Sequence, residues 1–222
     1  MPEWKNDKEL FETMKKELYT GVLCDVLDTI GYSHQFLPRE IQSAAPDMVV
    51  AGRAFPTIIC DVYGEPEKNP LGLLAEAIDN CGEDKVYFVT GGDRRCSYFG
   101  EIMTAKLKAN KAVGAVIDGP MRDTRQVLAQ NFPVFCTGRD AQGSVARNQV
   151  IAYDVPVEIG NISVKPGDLV FGDIDGVVII PKAIEAKAIE ATLERVRSES
   201  ETRKAVDAGM SAVEAIEKYG IF

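Results

Sequence analysis

Apolar positions near the N-terminus recur every three or four residues, which is the spacing of an amphipathic helix. They are Leu10, Phe11, Met14 and Leu18. Asn6, with Glu9 three positions later, has the form of a capping box that begins this helix, and Gly21 predicts its end. A second short helix is predicted over residues 22–30, before Gly31.

The middle of the chain alternates between short apolar runs and helical patterns. The first run, 48–59, predicts a strand that is interrupted near Gly52 and Pro56. Further strands are predicted over 85–90, 113–118 and 132–136, and helices over 71–80, 100–109 and 124–130. Asn110 suits the left-handed position after the second of these helices. The alternation implies that at least part of the sheet is parallel.

The pattern changes again after residue 150. Turn signals at 160–161, 166–167 and 175–176 divide residues 150–180 into short strands, which we interpret as a meander. Residues 181–206 predict one long helix, and residues 211–219 a short last helix before Gly220. Because the short strands cannot form a core of their own, we predict one domain over residues 1–222, with C-terminal helices over about 182–220.

Charge and composition exclude several classes of protein. The 222 residues include 25 Lys and Arg against 34 Asp and Glu, a net charge of −9. An acidic chain without a basic face argues against binding to nucleic acid or to anionic membranes. Residues 1–20 are charged and contain no apolar leader, and no run of about 18 apolar residues follows. We therefore expect a soluble, cytoplasmic protein with no nucleic-acid and no membrane partner.

Cysteine and histidine usage limits the metal chemistry. The five cysteines are scattered and include no C-x-x-C pair, which excludes a zinc ribbon and a dithiol redox motif. We interpret them as small buried hydrophobic residues. His34 is the single histidine, so one chain cannot supply the two or three imidazoles of zinc hydrolases and facial-triad iron enzymes. Any metal would have oxygen ligands, which favours Mg²⁺ or Mn²⁺.

Two segments carry candidate chemistry. Residues 91–95, Gly-Gly-Asp-Arg-Arg, precede a helix whose start, Gly100-Glu101-Ile102-Met103, offers unpaired N–H groups to a carboxylate or phosphate. Residues 118–123, Asp-Gly-Pro-Met-Arg-Asp, follow a buried strand, where α/β sheets bind ligands. Arg122 can pair with a carboxylate or an enolate oxygen, and Asp123 can ligate a divalent cation. The same segment also fits a plain turn in which Asp123 caps the next helix and Arg122 makes a surface ion pair.

A helix and the following strand separate Glu101 from Asp123, and this connection can bring both residues to the same edge of a sheet. Two carboxylates, an arginine and a set of backbone amides would then converge. No G-x-G-x-x-G or Walker A pattern is present, which disfavours a nucleotide site. Asp-x-Asp-Gly at 173–176 lacks the other ligands of a calcium loop and predicts a tight turn.

Together these motifs resemble the RraA-like family over about residues 20–185. The matching segments are Gly52-Arg53-Ala54, Gly91-Gly92-Asp93, Gly100-Glu101, Gly114 to Gly119, Arg122-Asp123, Pro166-Gly167-Asp168, Gly172 to Val178, and Pro181. That family includes class II pyruvate aldolases acting on 4-hydroxy-4-methyl-2-oxoglutarate and 4-carboxy-4-hydroxy-2-oxoadipate, and the regulator of RNase E activity. The resemblance implies an α/β fold, a three-layer β/β/α swivelling domain with helical N- and C-terminal extensions. It also implies homotrimers or homohexamers with sites between subunits.

The resemblance also implies roles for individual residues. Arg122 would contact the pyruvate oxygens, Asp123 would hold the metal, and Glu101 would support metal-bound water. Backbone N–H groups just beyond the helix start would hold the substrate carboxylate. The substrate-binding residues would then be Gly100, Ile102, Met103 and Arg122.

One part of the family pattern stays open, and two parts differ here. A neighbour's C-terminal helix would add one acidic residue, for which the alternatives are Glu194, Glu199 and Glu201. Asn110-Lys111 stands where the family pattern has glycine. Arg94-Arg95 adds two cations, which favours a more acidic substrate.

The implied function is a divalent-metal-dependent lyase that cleaves a 4-hydroxy-2-oxo acid to pyruvate. Cleavage of the C–C bond in this small 2-oxo acid would leave the enolate of pyruvate, which the cation and Arg122 would stabilise. Oxaloacetate decarboxylation is expected as a side activity, because it needs the same electron sink. No lysine lies in the motifs to form a Schiff base, although Lys85, Lys106 and Lys108 are nearby in sequence. The alternatives are a non-catalytic regulator of an RNase E-like ribonuclease and a plain binding protein for 2-oxo acids.

Overall fold

The structure, a computed structural model, describes residues 4–63 and 69–220. The strands are β1 (Gln42–Ser43), β2 (Val50–Asp61), β3 (Lys85–Thr90), β4 (Gly114–Met121), β5 (Val134–Arg139), β6 (Asn148–Tyr153), β7 (Val157–Ile159), β8 (Ile162–Val164), β9 (Leu169–Asp173) and β10 (Gly176–Ile180). The helices are α1 (Asp7–Glu17), α2 (Thr20–Thr29), α3 (Leu74–Asn80), α4 (Glu101–Ala109), α5 (Thr124–Leu128), α6 (Glu185–Asp207) and α7 (Ala212–Tyr219).

The main sheet has a parallel centre and antiparallel ends. Strands β2, β3, β4 and β5 are parallel neighbours, and β9 and β10 continue the sheet beyond β2. Strand β9 pairs with the first half of β2, and β6 pairs with its second half. The meander expected for residues 150–180 is therefore wrong, because these strands pair with β2 and not in succession with one another. Only β7–β8 and β9–β10 are simple hairpins in that stretch. The sheet curls into a nearly closed barrel.

Alternating side chains on the parallel strands divide the core into layers. In β3, Tyr87 and Val89 face the helices α3, α4 and α5, whereas Val86 and Phe88 face β7 to β10. This alternation follows from the period of two along a strand. The outer face of β9 and β10 carries α1, α2 and α6. The expected β/β/α layering with helical extensions is confirmed.

Arg53 in β2 joins the two helical extensions. Its guanidinium donates to Asp7 in α1, at 2.7 and 2.8 Å, and also to Glu185 in α6. The side chain of Arg53 is only 16 % exposed. These charge-assisted bonds therefore fix α1 and the start of α6 to the central strand β2.

Several local predictions are wrong for identifiable reasons. β2 is continuous, because Pro56 lies where its partner changes from β9 to β6 and no ladder bond needs its missing N–H. Gly21 lies inside α2, and α1 ends earlier, at Glu17. After α4 the left-handed residue is Lys111, with φ of 64°, and not Asn110.

Three of the five cysteines confirm the prediction of small buried residues. Cys81, Cys96 and Cys136 are buried, Cys24 and Cys60 are half-buried, and all five are free thiols. Burial raises the pKa of the Cys81 thiol to about 12. In residues 4–63 and 69–220 no helix combines the length and apolarity needed to cross a membrane.

Candidate functional site

Residues 97–100 run beside the end of β4 and bring two distant parts of the sequence together. The N–H of Tyr98 donates to Pro120 O at 3.0 Å, and the N–H of Arg122 donates to Phe99 O at 2.9 Å. These parallel bonds fix the register between the residues that lead into α4 and those that lead into α5. Glu101 and Asp123 therefore begin adjacent helices side by side.

The side chain of Tyr98 packs next to the paired segments 97–100 and 120–122. Tyr98 is buried against two glycines: an added Cβ at Gly92 would lie 2.4 Å from its hydroxyl oxygen, and one at Gly119 would lie 2.3 Å from its ring carbon Cδ2. Its hydroxyl accepts from the N–H of Arg94 at 2.5 Å. Burial raises the pKa of Tyr98 to about 12, so the phenol stays protonated at neutral pH.

Asp123 stands at the N-cap position of α5 but does not cap that helix. Its backbone is left-handed, with φ of 55° and ψ of 34°, and its side chain makes no capping bond. Instead, Oδ2 accepts from the N–H of Glu101 at 3.2 Å. Gly100 makes this approach possible, because a Cβ there would lie 2.7 Å from Oδ2 of Asp123. The capping role of Asp123 in the plain-turn alternative is therefore wrong, whereas the surface ion pair that it predicted for Arg122 is present, with Asp123 as the partner.

Arg122 lies next to this carboxylate and reaches across a loop. Its Nε is 3.5 Å from Asp123 Oδ2, and its side chain is 47 % exposed. The guanidinium lies over Gly143, whose missing side chain leaves room for Nη1. The loop that contains Gly143 is fixed by bonds between Ser97 N and Gln142 O, at 2.8 Å, and between Ser144 Oγ and Ser97 O, at 2.8 Å.

The first turn of α4 supplies backbone donors at the same place. The N–H of Glu101 is used by Asp123, whereas the N–H groups of Ile102 and Met103 have no partner within a helix that begins at Glu101. The side chain of Ile102 is 82 % exposed. An anion beside this turn would meet two N–H donors and the positive end of the helix dipole.

These groups border one cleft of about 530 Å³. Arg122, Asp123 and the start of α4 form one end. The apolar wall consists of Leu74 and Ile78 from α3 and Val145 from the loop after β5. Every predicted site residue, from Gly100 to Met103 together with Arg122 and Asp123, lines this cleft.

The predicted segment 91–95 does not line the cleft. Arg94 forms an ion pair with Asp118, which also accepts from Thr90 Oγ1 at 2.7 Å. Arg95 lies over the ring of Tyr63, with 4.7 Å between the guanidinium carbon and the ring centroid. Both cations thus stabilise the loop after β3 in this chain, and the expected contribution to an acidic substrate finds no support there.

The three candidate acidic residues of α6 also lie away from the cleft of their own chain. Glu199 accepts from Arg195 Nε at 2.9 Å and from the hydroxyl of Tyr19. Burial is the main cause that raises the pKa of Tyr19 to about 12, and the bond to Glu199 raises it further. Glu194 and Glu201 are exposed.

The donor set suits a hard divalent cation that keeps most of its water. Within the described ranges no group of three or more His, Cys, Asp and Glu side chains is arranged to hold a metal. Asp123 is 38 % exposed, and its Oδ1 accepts no hydrogen bond from the described residues. Mg²⁺ is commonly held by one or two carboxylates and several waters, which fits Asp123 with Glu101 beside it.

Sequence reasoning missed the walls of the cleft. Lys106 lies on the cleft face of α4 because it follows Ile102 by four positions and Met103 by three, and helical periodicity was sufficient to place it there. Gly143 and Val145 carried no such signal, since their approach to Arg122 depends on how the loop after β5 folds back.

Comparisons with known proteins show the family of this chain. The family model described as RraA-like (Aldolase/RraA) matches residues 20–179. A relative from Halalkalibacterium halodurans, named "Putative 4-hydroxy-4-methyl-2-oxoglutarate aldolase", is 30% identical over 145 residues, which are 65% of this chain and 69% of the relative.

Two solved structures are similar over almost the whole chain. An uncharacterized protein from Pseudomonas syringae pv. tomato is 28% identical with a TM-score of 0.85, covering 99% of this chain and 98% of the other. A Streptomyces coelicolor protein, described as an unusual member of the RNase ES inhibitor RraA protein family, is 24% identical with a TM-score of 0.78. That match covers 90% of this chain and 100% of the other, and it supports the fold alone.

Proposed function

The chain belongs to the RraA-like family, and from this membership and its cleft we propose a divalent-metal-dependent aldolase that cleaves a 4-hydroxy-2-oxo acid to pyruvate. The observation that supports it most is the meeting of Arg122, Asp123 and the first turn of α4 in one cleft. A protein that only binds another protein has no need for this combination. The name of the Halalkalibacterium halodurans relative suggests 4-hydroxy-4-methyl-2-oxoglutarate as a substrate.

The reaction requires charge to be stabilised at two places. The C3–C4 bond breaks, the 4-hydroxyl group loses its proton and becomes a carbonyl, and the electron pair moves to C3 as the enolate of pyruvate. A proton added at C3 completes pyruvate. The site must therefore bind the C1 carboxylate and stabilise negative charge that develops on the 2-oxo oxygen.

The residues of the cleft match these two needs. The N–H groups of Ile102 and Met103 would bind the C1 carboxylate at the positive end of α4. Arg122 would donate to the 2-oxo oxygen, where its charge is worth more in the transition state than in the bound substrate. Its contact with Gly143 and the nearby Asp123 holds the guanidinium in place before the substrate arrives.

Asp123 and Glu101 are the proposed metal-site residues. Asp123 would hold Mg²⁺ or Mn²⁺ directly, and Glu101 would bind its water and exchange protons with it. When bound, the cation would supply Lewis-acid polarisation of the 2-oxo group. Decarboxylation of oxaloacetate leaves the same enolate, so we propose it as a side activity.

The assembly around the site is part of the proposal. We propose a homotrimer or a homohexamer in which the C-terminal helix of a neighbouring subunit completes the cleft. Glu194, Glu199 and Glu201 remain the alternatives for the acidic residue it would contribute, and Glu199 would first have to leave its partners Tyr19 and Arg195.

Pyruvate release from 4-hydroxy-4-methyl-2-oxoglutarate tests the proposal. We expect turnover with Mg²⁺, its loss in excess EDTA and its return when Mg²⁺ is restored. Asp123→Asn should lose activity by about 100-fold or more, since it removes a metal-binding carboxylate. Asp47→Asn changes an exposed aspartate outside the cleft and is the matched control.

Turnover that survives EDTA, or full activity in the Asp123 variant, would contradict the proposal. An absence of turnover with every 4-hydroxy-2-oxo acid and both metals would favour the regulator alternative. Direct binding to an RNase E-like ribonuclease, measured with the same preparation, would then support that alternative.

A further inference from the structure

Lys106 adds a second cationic side chain to the cleft. Of the described residues that line the cleft, Arg122 and Lys106 are the cations, and Arg122 belongs to the reacting end. Lys106 follows Ile102 by one helical turn, about 6 Å along the axis of α4. Because Lys106 lines the same cleft as Arg122, a five-carbon 2-oxo acid whose keto group is bound by Arg122 would share the cavity with this ammonium group.

The ammonium group of Lys106 has capacity for a second partner. Its Nζ lies 3.1 Å from Oδ1 of Asp79 in α3, and the two side chains are 49% and 63% exposed. An ammonium group has three N–H donors, of which this ion pair uses one. Such an exposed pair is worth little by itself, so a ligand can share or replace Asp79 without a large penalty.

The acidic residues near Lys106 make its positive charge important for the binding of a second carboxylate. Helix α3 lines the cleft with the apolar residues Leu74, Ala75 and Ile78 and with the carboxylates of Glu76 and Asp79. Those two carboxylates would repel a second carboxylate on the substrate unless a cation stood between them. Lys106 is the cleft-lining residue of α4 that supplies this charge.

We propose that Lys106 is a specificity-determining residue that binds the distal carboxylate of a 2-oxo diacid, with Asp79 as a competitor for the same ammonium group. The inference rests on the proposed function, and it assigns a residue to the distal carboxylate that 4-hydroxy-4-methyl-2-oxoglutarate has. It gives Lys106 no part in breaking the C–C bond.

Titration calorimetry in the presence of Mg²⁺ tests this inference with two ligands that are not cleaved. Pyruvate has one carboxylate, and 2-oxoglutarate adds the distal one. In the unmodified protein we expect 2-oxoglutarate to bind about tenfold more tightly than pyruvate, as one charge-assisted hydrogen bond would give. Lys106→Met should remove this preference and leave the affinity for pyruvate unchanged, and Lys106→Gln should do the same.

Asp79→Asn separates ligand binding from a structural role. If Lys106 binds the distal carboxylate, losing its competitor should increase the preference for 2-oxoglutarate. If the ion pair only joins α3 to α4, both Asp79→Asn and Lys106→Met should weaken both ligands alike, which would overturn the inference. Lys108→Met is the matched control, since Lys108 is an exposed lysine of α4 that bonds to Gln130 O outside the cleft.

The same titrations distinguish the two levels of the proposal. Pyruvate binding without a preference for 2-oxoglutarate would overturn the role of Lys106 and leave the proposed function intact. Binding of neither ligand in the presence of Mg²⁺ would overturn the proposed site, and the inference with it.

Discussion

Asp123 accepts a hydrogen bond from the backbone N–H of Glu101, with 3.2 Å between N and Oδ2. The bond joins the end of β4 to the start of α4, across 22 positions of the chain. It fixes one oxygen of the carboxylate, so a cation on the other oxygen would have a defined position relative to the first turn of α4. The left-handed backbone of Asp123, unusual for a residue with a side chain, is the local cost of this orientation.

The hydrogen bond between Asp123 and Glu101 requires that residue 100 has no side chain. Gly100→Ala should displace the Asp123 carboxylate, because the new Cβ would lie 2.7 Å from Oδ2. A displacement of about 1 Å in such a site lowers kcat/KM by about 100-fold. The measurement is the steady-state rate of pyruvate release, with thermal unfolding as a check of stability.

Gly82→Ala is the control for this change, because a Cβ at Gly82 meets no atom within 4 Å. Both variants should unfold within a few degrees of the unmodified protein. Normal activity in Gly100→Ala would mean that the position of Asp123 does not matter for turnover.

Acid should weaken the connection between Asp7 and Arg53. The hydrogen bond from Arg53 lowers the pKa of Asp7 below its ordinary value of 3.8. The carboxylate therefore contributes its full stability above pH 3.8, and this contribution is lost as the pH falls through the lowered pKa of the folded state. Asp7→Asn should cost about 1 kcal/mol at pH 7, since the Asp7 side chain is 47 % exposed, and progressively less below pH 3.8.

Urea denaturation of the two proteins between pH 2.5 and 7 measures that difference. Asp47→Asn, at an exposed site, should show no such dependence on pH. A difference between Asp7→Asn and the unmodified protein that is the same at pH 7 and at pH 2.5 would contradict the assignment.

Lys111 holds a strained backbone after α4. Its φ of 64° costs a residue with a Cβ about 1 kcal/mol, a penalty that glycine does not have. Lys111→Gly should therefore raise the free energy of unfolding by about 0.5–1 kcal/mol, measured by urea denaturation. The ion pair that is lost, with 3.3 Å between Nζ and Glu83, is exposed and contributes little.

Lys111→Ala distinguishes the backbone effect from the loss of the side chain. Alanine removes the same ion pair and keeps the strain, so it should not stabilise the protein. Equal stabilisation by alanine and glycine would attribute the effect to the lysine side chain.

Much of the fold follows from the sequence, because period and turn signals are local. The parallel strands were predictable from apolar runs separated by helical spacing, and the turns at 160–161 and 175–176 from glycine beside Asn or Asp. The prediction failed at Pro56, where the strand survives because β9 ends and β6 begins on that side. A local sequence pattern does not indicate where the neighbouring strand of β2 changes from β9 to β6.

The candidate site was predictable in part for the same reason. Glu101 and Asp123 follow strand and helix boundaries, and the topology of a parallel sheet brings such boundaries to one edge. The orientation of the Asp123 carboxylate was not predictable, since it depends on a left-handed backbone and on the missing side chain of Gly100. The place of Gly143 depends on how the loop after β5 folds back, whereas helical periodicity was sufficient to place Lys106 on the cleft face of α4.

The burial of Tyr98 against Gly92 and Gly119 constrains how this protein can change over time. The side chain of Tyr98 fills the space that a side chain at position 92 or 119 would need, so none of these three residues can change in size alone. A larger residue at either glycine becomes tolerable only after the aromatic ring has been lost, and losing the ring first leaves a cavity next to the segments that lead into α4 and α5. Any stepwise change at these three positions would therefore pass through a less stable protein. We expect the three residues to be kept or replaced together.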